Sequence, residues 1–575
     1  MRSAPMLPAG LAAALLLTGC TGSDHGGGAA EGNAAISQDA AVPVTAVPSA
    51  SPTLVADEGA VAAAVSMSRA LFTSSPLAVV ADDGDLAGRL LAASAAVGLG
   101  VPLLVADGGA AGEEAVGSEL DRLGVTGVLA VGGEGLVPAG DDRPVVAVPA
   151  DVAAVEAATG LSLGRQDPVP AGGAVAAVAG LEPGRLVALE ATPVEEPAGA
   201  SASASPSSSS ARSAPDGDGD GDRELPVVGR PAPLDDVLVL ATGEPEYLAG
   251  VATARAAGAD VRLTGGMPDP RASAEVVEAL AAEPAATVVL GAGLAGAPGL
   301  DWKLATAAAG TQLPGGGQLL FPNHMLVAMY GIPDSGALGI LGEQDLPASI
   351  ERAGQVAAPY RDLVDATVVP TFEIIATVAS AGAGGDGNYS AELDPEILRP
   401  WVEAAGAAGM YVVLDLQPGR TDFLTQAQQY RSLLELPHVG LALDPEWRLD
   451  PGEVHLVEVG QVGVDEVNRV VTWLADLTRE RSLPQKLLVL HQFQVRMVMD
   501  RERLDTSRDE LAIMVHVDGQ GGQAAKQDTW RVLRQDAPQP LSWGWKNFID
   551  EDLPMLDPQQ TVEQVRPTPQ LVTYQ

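Results

Sequence analysis

The segment LALDPEW, residues 441–447, sets two carboxylates, Asp444 and Glu446, at the end of an apolar run. A pair of acids can cleave a glycosidic bond: one protonates the leaving oxygen, the other acts as nucleophile or activates water. That division of labour needs one carboxyl with a raised pKa and one kept ionised, which different surroundings supply. In an extended strand, residues two apart point to the same side, so both acids can face one pocket, although Pro445 can twist the strand end. Other polar residues share this placement. Glu373, Asp415, His491, Asp518 and Lys546 each stand at or near the C-terminal end of an apolar run. Trp447, Trp543 and Trp545 could stack a sugar ring, and Tyr330 could hydrogen-bond it. His491 could orient a carboxylate, and Lys546 could pair with an acid and keep it deprotonated.

Carboxylates dominate this set. HxH, HExxH and cysteine clusters are absent, which argues against a zinc site of known spacing. A calcium or magnesium ion held by several acids stays open, but no metal and no cofactor is expected. Two alternatives to a glycosidase stand beside it: a non-catalytic glycan-binding or scaffold protein, and a metal-dependent phosphodiesterase.

The acids need a frame. Apolar strands at 325–331, 368–379, 411–417, 439–447, 486–493, 511–519 and 540–548 alternate with helical stretches such as 348–363 and 464–481. Seven β-then-α units over this length predict a (β/α)8-like barrel, whose C-terminal rim carries the active site. The eighth strand is not evident, and 318–321 is one candidate. All seven tryptophans and five of the six histidines lie beyond residue 300, which sets the boundary of this domain, 301–575.

Upstream lies an internal repeat. Residues 76–133 and 236–293 each read strand, helix, strand, helix, strand, and their continuous apolar strands suit parallel sheets covered on both faces. The fold class is therefore α/β: N-terminal parallel-sheet βαβαβ repeats over 54–193 and 225–300, then the barrel. Gly-Gly pairs at 108–109, 132–133 and 265–266 fall just after strands, where tight turns account for them. Two segments without apolar period, 21–53 and 194–224, read as a flexible tether and a Ser/Pro/Asp/Gly linker. Residues 1–20 carry one arginine, a short apolar stretch and the chain's single cysteine, Cys20, as a secretory signal would. A net charge of -42 argues against nucleic acid as a partner.

Three resemblances add to this. Leu17-Thr18-Gly19-Cys20 resembles the bacterial lipobox, which implies acylation of Cys20 and a membrane contact through that anchor. The chain would then sit on the cell surface, at the outer face of the cytoplasmic membrane and against the wall. The stretch LGVPLLVADGG…ELDRLGVTGVLAVGG resembles the cell wall binding repeat 2 modules of Gram-positive surface proteins, which implies a wall polymer or glycan as partner. Those modules usually come as three tandem copies, and two are seen here. Asp444-Pro445-Glu446 resembles the Asp-x-Glu of family 25 lysozymes and chitinase-like barrels. That implies Glu446 as proton donor and Asp444 as its electrostatic partner, with Asp415 or Asp518 in support. The longer chitinase motif is missing, since Leu441, Ala442 and Leu443 precede Asp444.

Overall fold

A computed structural model describes residues 40–133, 135–137, 142–193 and 224–575. The signal segment with Cys20, most of the tether and the linker over 194–223 lie outside the described residues.

Apolar runs beyond residue 320 close into one barrel. Its strands are β1 (His324–Gly331), β2 (Thr367–Ala379), β3 (Tyr411–Leu416), β4 (Val439–Leu443), β5 (Lys486–Gln492), β6 (Leu511–Val517), β7 (Ser542–Asn547) and β8 (Leu571–Tyr574). Each pairs in parallel with the next, and β8 pairs with β1 to complete the ring. The eighth strand is thus LVTY at 571–574. Residues 318–321 form no strand; Leu320 instead plugs the interior from below, among Leu326, Val413, Val489 and Met514.

Helices between the strands start where local chemistry favours it. Asp345, Asp394 and Asp557 each accept a backbone N–H at a helix start and are each followed by proline in the first turn. The helix Val464–Glu480 buries Val467, Val470, Val471 and Leu474, the one-in-3.6 stripe that covers the barrel's outer wall.

The upstream half holds two four-stranded parallel sheets. The first contains Leu77–Asp82, Leu103–Ala106, Gly127–Val131 and Val145–Val148. The second contains Val237–Ala241, Asp260–Leu263 and Ala286–Leu290. Its fourth strand, Thr53–Val55, comes from far upstream and pairs in parallel with Ala286–Leu290. Within the segment expected to be tether, Val44–Thr45 also pairs, antiparallel to Phe72–Ser74. Ordered chain therefore begins before residue 53. The two sheets are not separate beads: one buried cluster runs through Val79, Val97, Val251 and Val288. Thr253 ties them by exchanging hydrogen bonds with the backbone of Leu103.

This half seats on the lower, N-terminal face of the barrel. Buried Asp269 holds Arg271 at 2.8 Å and Lys303 at 3.3 Å, and Lys303 also reaches Asp509, ahead of β6, at 2.6 Å. The upper mouth stays clear of that joint.

Candidate functional site at the barrel mouth

Along each strand, every second side chain points into the barrel. The inward columns read Leu326-Ala328-Tyr330, Tyr411-Val413-Asp415, Leu487-Val489-His491 and Ala512-Met514-His516, with Asp518 following. Apolar residues fill the lower interior, and the ionisable residue comes last, at the mouth. Packing below thus fixes the positions of the charged groups above.

His491 is the centre. It is fully buried, with Nε2 at 2.8 Å from Glu373 Oε1 and Nδ1 at 3.1 Å from Asp518 Oδ2. Burial alone would lower its pKa, but the charge of Glu373 and the hydrogen bonds to both acids raise it well above its usual value. His491 is therefore an imidazolium donating from both nitrogens. Buried Glu373 resists ionisation by desolvation, yet the charge and hydrogen bond of His491 prevail and hold it down to about 2. Its second oxygen accepts from Thr573 Oγ1 at 2.8 Å. Asp518 likewise is disfavoured as an anion by burial but lowered by His491. Beside them, burial and the neighbouring imidazolium push His516 down to about 3, so it stays neutral, its Nδ1 3.3 Å from that of His491.

The other acids go the opposite way. Burial raises Asp415 to about 6, against the pull of His491, and its Oδ2 accepts from Tyr330 at 2.7 Å. Burial, with the charges of Asp415 and Asp518, raises Asp444 well above the carboxylate range. Glu446 is pushed up to about 7 by burial and then by Asp518. Lys546 lies 3.6 Å above the Tyr330 ring. Gln417 donates to the Tyr330 hydroxyl at 3.2 Å and was not expected from the sequence.

The strand β4 ends at Leu443, and Pro445–Trp447 turns as a short 3-10 segment. Asp444 and Glu446 are therefore not related by strand alternation. Asp444 instead accepts the backbone N–H of Glu446 at 3.2 Å and braces the turn. Both nevertheless line a pocket of about 580 Å³ at the mouth, with Tyr330, Trp447, Asp518 and Lys546. Glu373, Asp415 and His491 form a fully buried layer and are not part of that lining.

Trp543 and Trp545 do not join them. Both alternate out of phase with inward Lys546, and they pack outside the wall against Trp530 at 6.0 and 5.8 Å. That parity was readable in SWGWKN. Parity also marks His516, two residues before Asp518, as an inward residue that a pattern of strand-end acids does not include.

Glu373, His491 and His516 offer ligand atoms within 4.8 Å of one another, the one such group among the described residues. Both nitrogens of His491 already face carboxylates, so a cation would have to break the pairs that organise the layer. The trio fits a hydrogen-bonded relay better than a metal centre. Upstream, Gly160-Leu161-Ser162-Leu163-Gly164 has the spelling of a nucleophile elbow, but it follows the helix Val152–Thr159 instead of a strand, which removes the strained turn that exposes such a serine. No protein-family model, curated protein or solved structure matches the chain.

Proposed function

We propose that the barrel is a glycoside hydrolase acting on cell-wall or related polysaccharide, carried by a surface lipoprotein whose upstream repeats associate with the wall. One observation carries the catalytic reading: Glu446 and Asp518 line one pocket with their pKa values pushed apart, one up to about 7 and the other below the usual range. Such a separation supplies an acid and an anion at the same pH.

In this reading Glu446 donates its proton to the glycosidic oxygen as the bond to the anomeric carbon breaks. Positive charge grows on the sugar ring, and ionised Asp518 stabilises it. Water then adds to the anomeric carbon and returns a proton to Glu446. Asp518 takes the part that the sequence suggested for Asp444, because His491 keeps it charged while Asp444 favours its proton. His491 and Glu373 act through Asp518 and are positioning residues. Trp447 offers an aromatic face at the pocket and Tyr330 a hydroxyl.

The test is release of new reducing ends from purified cell walls by the full-length protein beside Glu446→Gln. Loss of a general acid should lower the rate by about 10²- to 10⁴-fold. Since the acid must be protonated, wild-type activity should fall as pH rises through about 7. No release from a panel of wall and storage glycans would favour the binding or scaffold reading. Activity abolished by a chelator would favour the phosphodiesterase.

A further inference from the structure

The opposite end of the barrel holds a second pocket, larger at about 1020 Å³, around the N-terminal ends of β1, β2, β7 and β8. Three arginines line it: Arg361 ahead of β2, Arg534 at the end of the helix Gln523–Arg534, and Arg566 ahead of β8. The chain carries 75 acids against 33 bases, and carboxylates hold many of its arginines, although others, such as Arg230 and Arg501, donate only to backbone carbonyls. Arg531, on the same helix, pairs with Asp528 at 2.7 Å.

The three pocket arginines do not. Arg534 Nη1 donates to the carbonyl of Arg566 at 3.1 Å, and its Nε is buried with no acceptor in the protein. Its guanidinium stands 5.7 Å from the Trp543 ring, which also lines the pocket. Arg566 donates to the Glu563 carbonyl at 3.1 Å and to Thr568 Oγ1 at 2.9 Å. The Arg361 side chain makes no ion pair or hydrogen bond among the described residues. Every acceptor is neutral, so three full charges remain uncompensated by direct pairing. Asp362 and Asp365 share the mouth, but they are exposed and pair with none of the three.

We propose that this pocket binds a multiply charged phosphate anion of the polyphosphate kind. Guanidinium groups present forked donors that match phosphate oxygens, and an arginine is weakly enough hydrated to surrender its water to them. The room exceeds that needed by one phosphate. Trp543 and Trp530 hold Arg534 in place, which lowers the entropy lost when it grips a ligand. The pocket lies at the far end of the barrel from the acids, so it stands independently of the glycosidase reading.

The probe is inorganic tripolyphosphate titrated calorimetrically into the full-length protein at low ionic strength. Saturable one-site binding is expected, weakening as salt is raised. Arg361→Gln and Arg534→Gln should each weaken it about tenfold or more, as loss of a charge-assisted hydrogen bond would. Arg531→Gln should leave it unchanged. Arg534 also holds the Arg566 carbonyl, so a fall in that variant's melting temperature would leave Arg361→Gln, which breaks no contact, as the deciding variant. The proposal is overturned by an absence of heat at millimolar probe, by equal affinity in Arg361→Gln, or by equal weakening in Arg531→Gln. Poly-glutamate binding as tightly as tripolyphosphate would overturn the phosphate assignment.

Discussion

Two buried charge clusters in this molecule use similar residues to different ends. In the upstream half, Glu119 is fully buried on the helix Ala110–Leu123. One of its oxygens accepts from Ser68 and Arg122, the other from Arg69 and Arg122, all within 2.9 Å. Its lone pairs are spent, and two arginine cations, Arg69 and Arg122, face its single negative charge. At the barrel mouth, acids outnumber cations, and Asp415 Oδ1, Asp518 Oδ1 and His516 Nε2 accept no hydrogen bond from the protein. A cluster that stabilises a fold closes its hydrogen bonds; one that retains buried bonding capacity bears a desolvation cost that chemistry on a substrate would explain.

The strongest way to break this contrast is His491→Asn. It removes the cation between Glu373 and Asp518, and stripping one member from a buried pair costs about 3–5 kcal/mol. Denaturant titration at neutral pH measures this; a loss near zero would mean the layer is not held by charge. The pH dependence has a definite sign. The raised pKa of His491 stabilises the fold fully below its ordinary 6.5, and that stability is lost as pH rises through the folded value. The lowered values of Glu373 and Asp518 stabilise it above their ordinary 4.5 and 3.8, and that part is lost as pH falls. The share of His491 should therefore be complete below about pH 6.5 and be lost on the alkaline side, on top of the loss that the raised carboxyls of Asp415, Asp444 and Glu446 bring as pH climbs above their ordinary values; the difference between the wild-type and His491→Asn profiles isolates it.

A smaller effect sharpens the other side. Glu119→Gln keeps the shape but loses the charge facing Arg69 and Arg122, both partly in solvent, so about 1–2 kcal/mol should be lost. Melting of the upstream half would shift, and any activity at the mouth would not. If activity fell in step with stability, the two clusters would not be independent. The smallest change, Thr573→Val, removes one hydrogen bond to Glu373 and should cost about 1 kcal/mol with the alkaline decline intact.

Much of this was legible in the sequence, for a physical reason. Seven barrel strands are apolar runs because helices cover them outside and side chains fill them inside, so burial on both faces is written into composition. LVTY at 571–574 escaped because four residues after two prolines carry too little pattern. Thr53–Val55 escaped for the same reason, and its partner is a choice made by tertiary packing far along the chain. The acids of the mouth could be found by their place at strand ends. Their division into a buried layer and a pocket lining could not, because it depends on how deep each strand runs. Trp543 and Trp545 lie outside the mouth because alternation along SWGWKN turns them away from the side that Lys546 faces.

Thr573 and Glu373 are 200 residues apart, and their contact exists only when the last strand of the ring has met the first. A growing chain would present Glu373 long before it presented His491, Asp518 or Thr573. Until then its acids would be ordinary carboxylates in water, with ordinary proton affinities. Whatever the mouth does would therefore wait on ring closure, when the last strand meets the first.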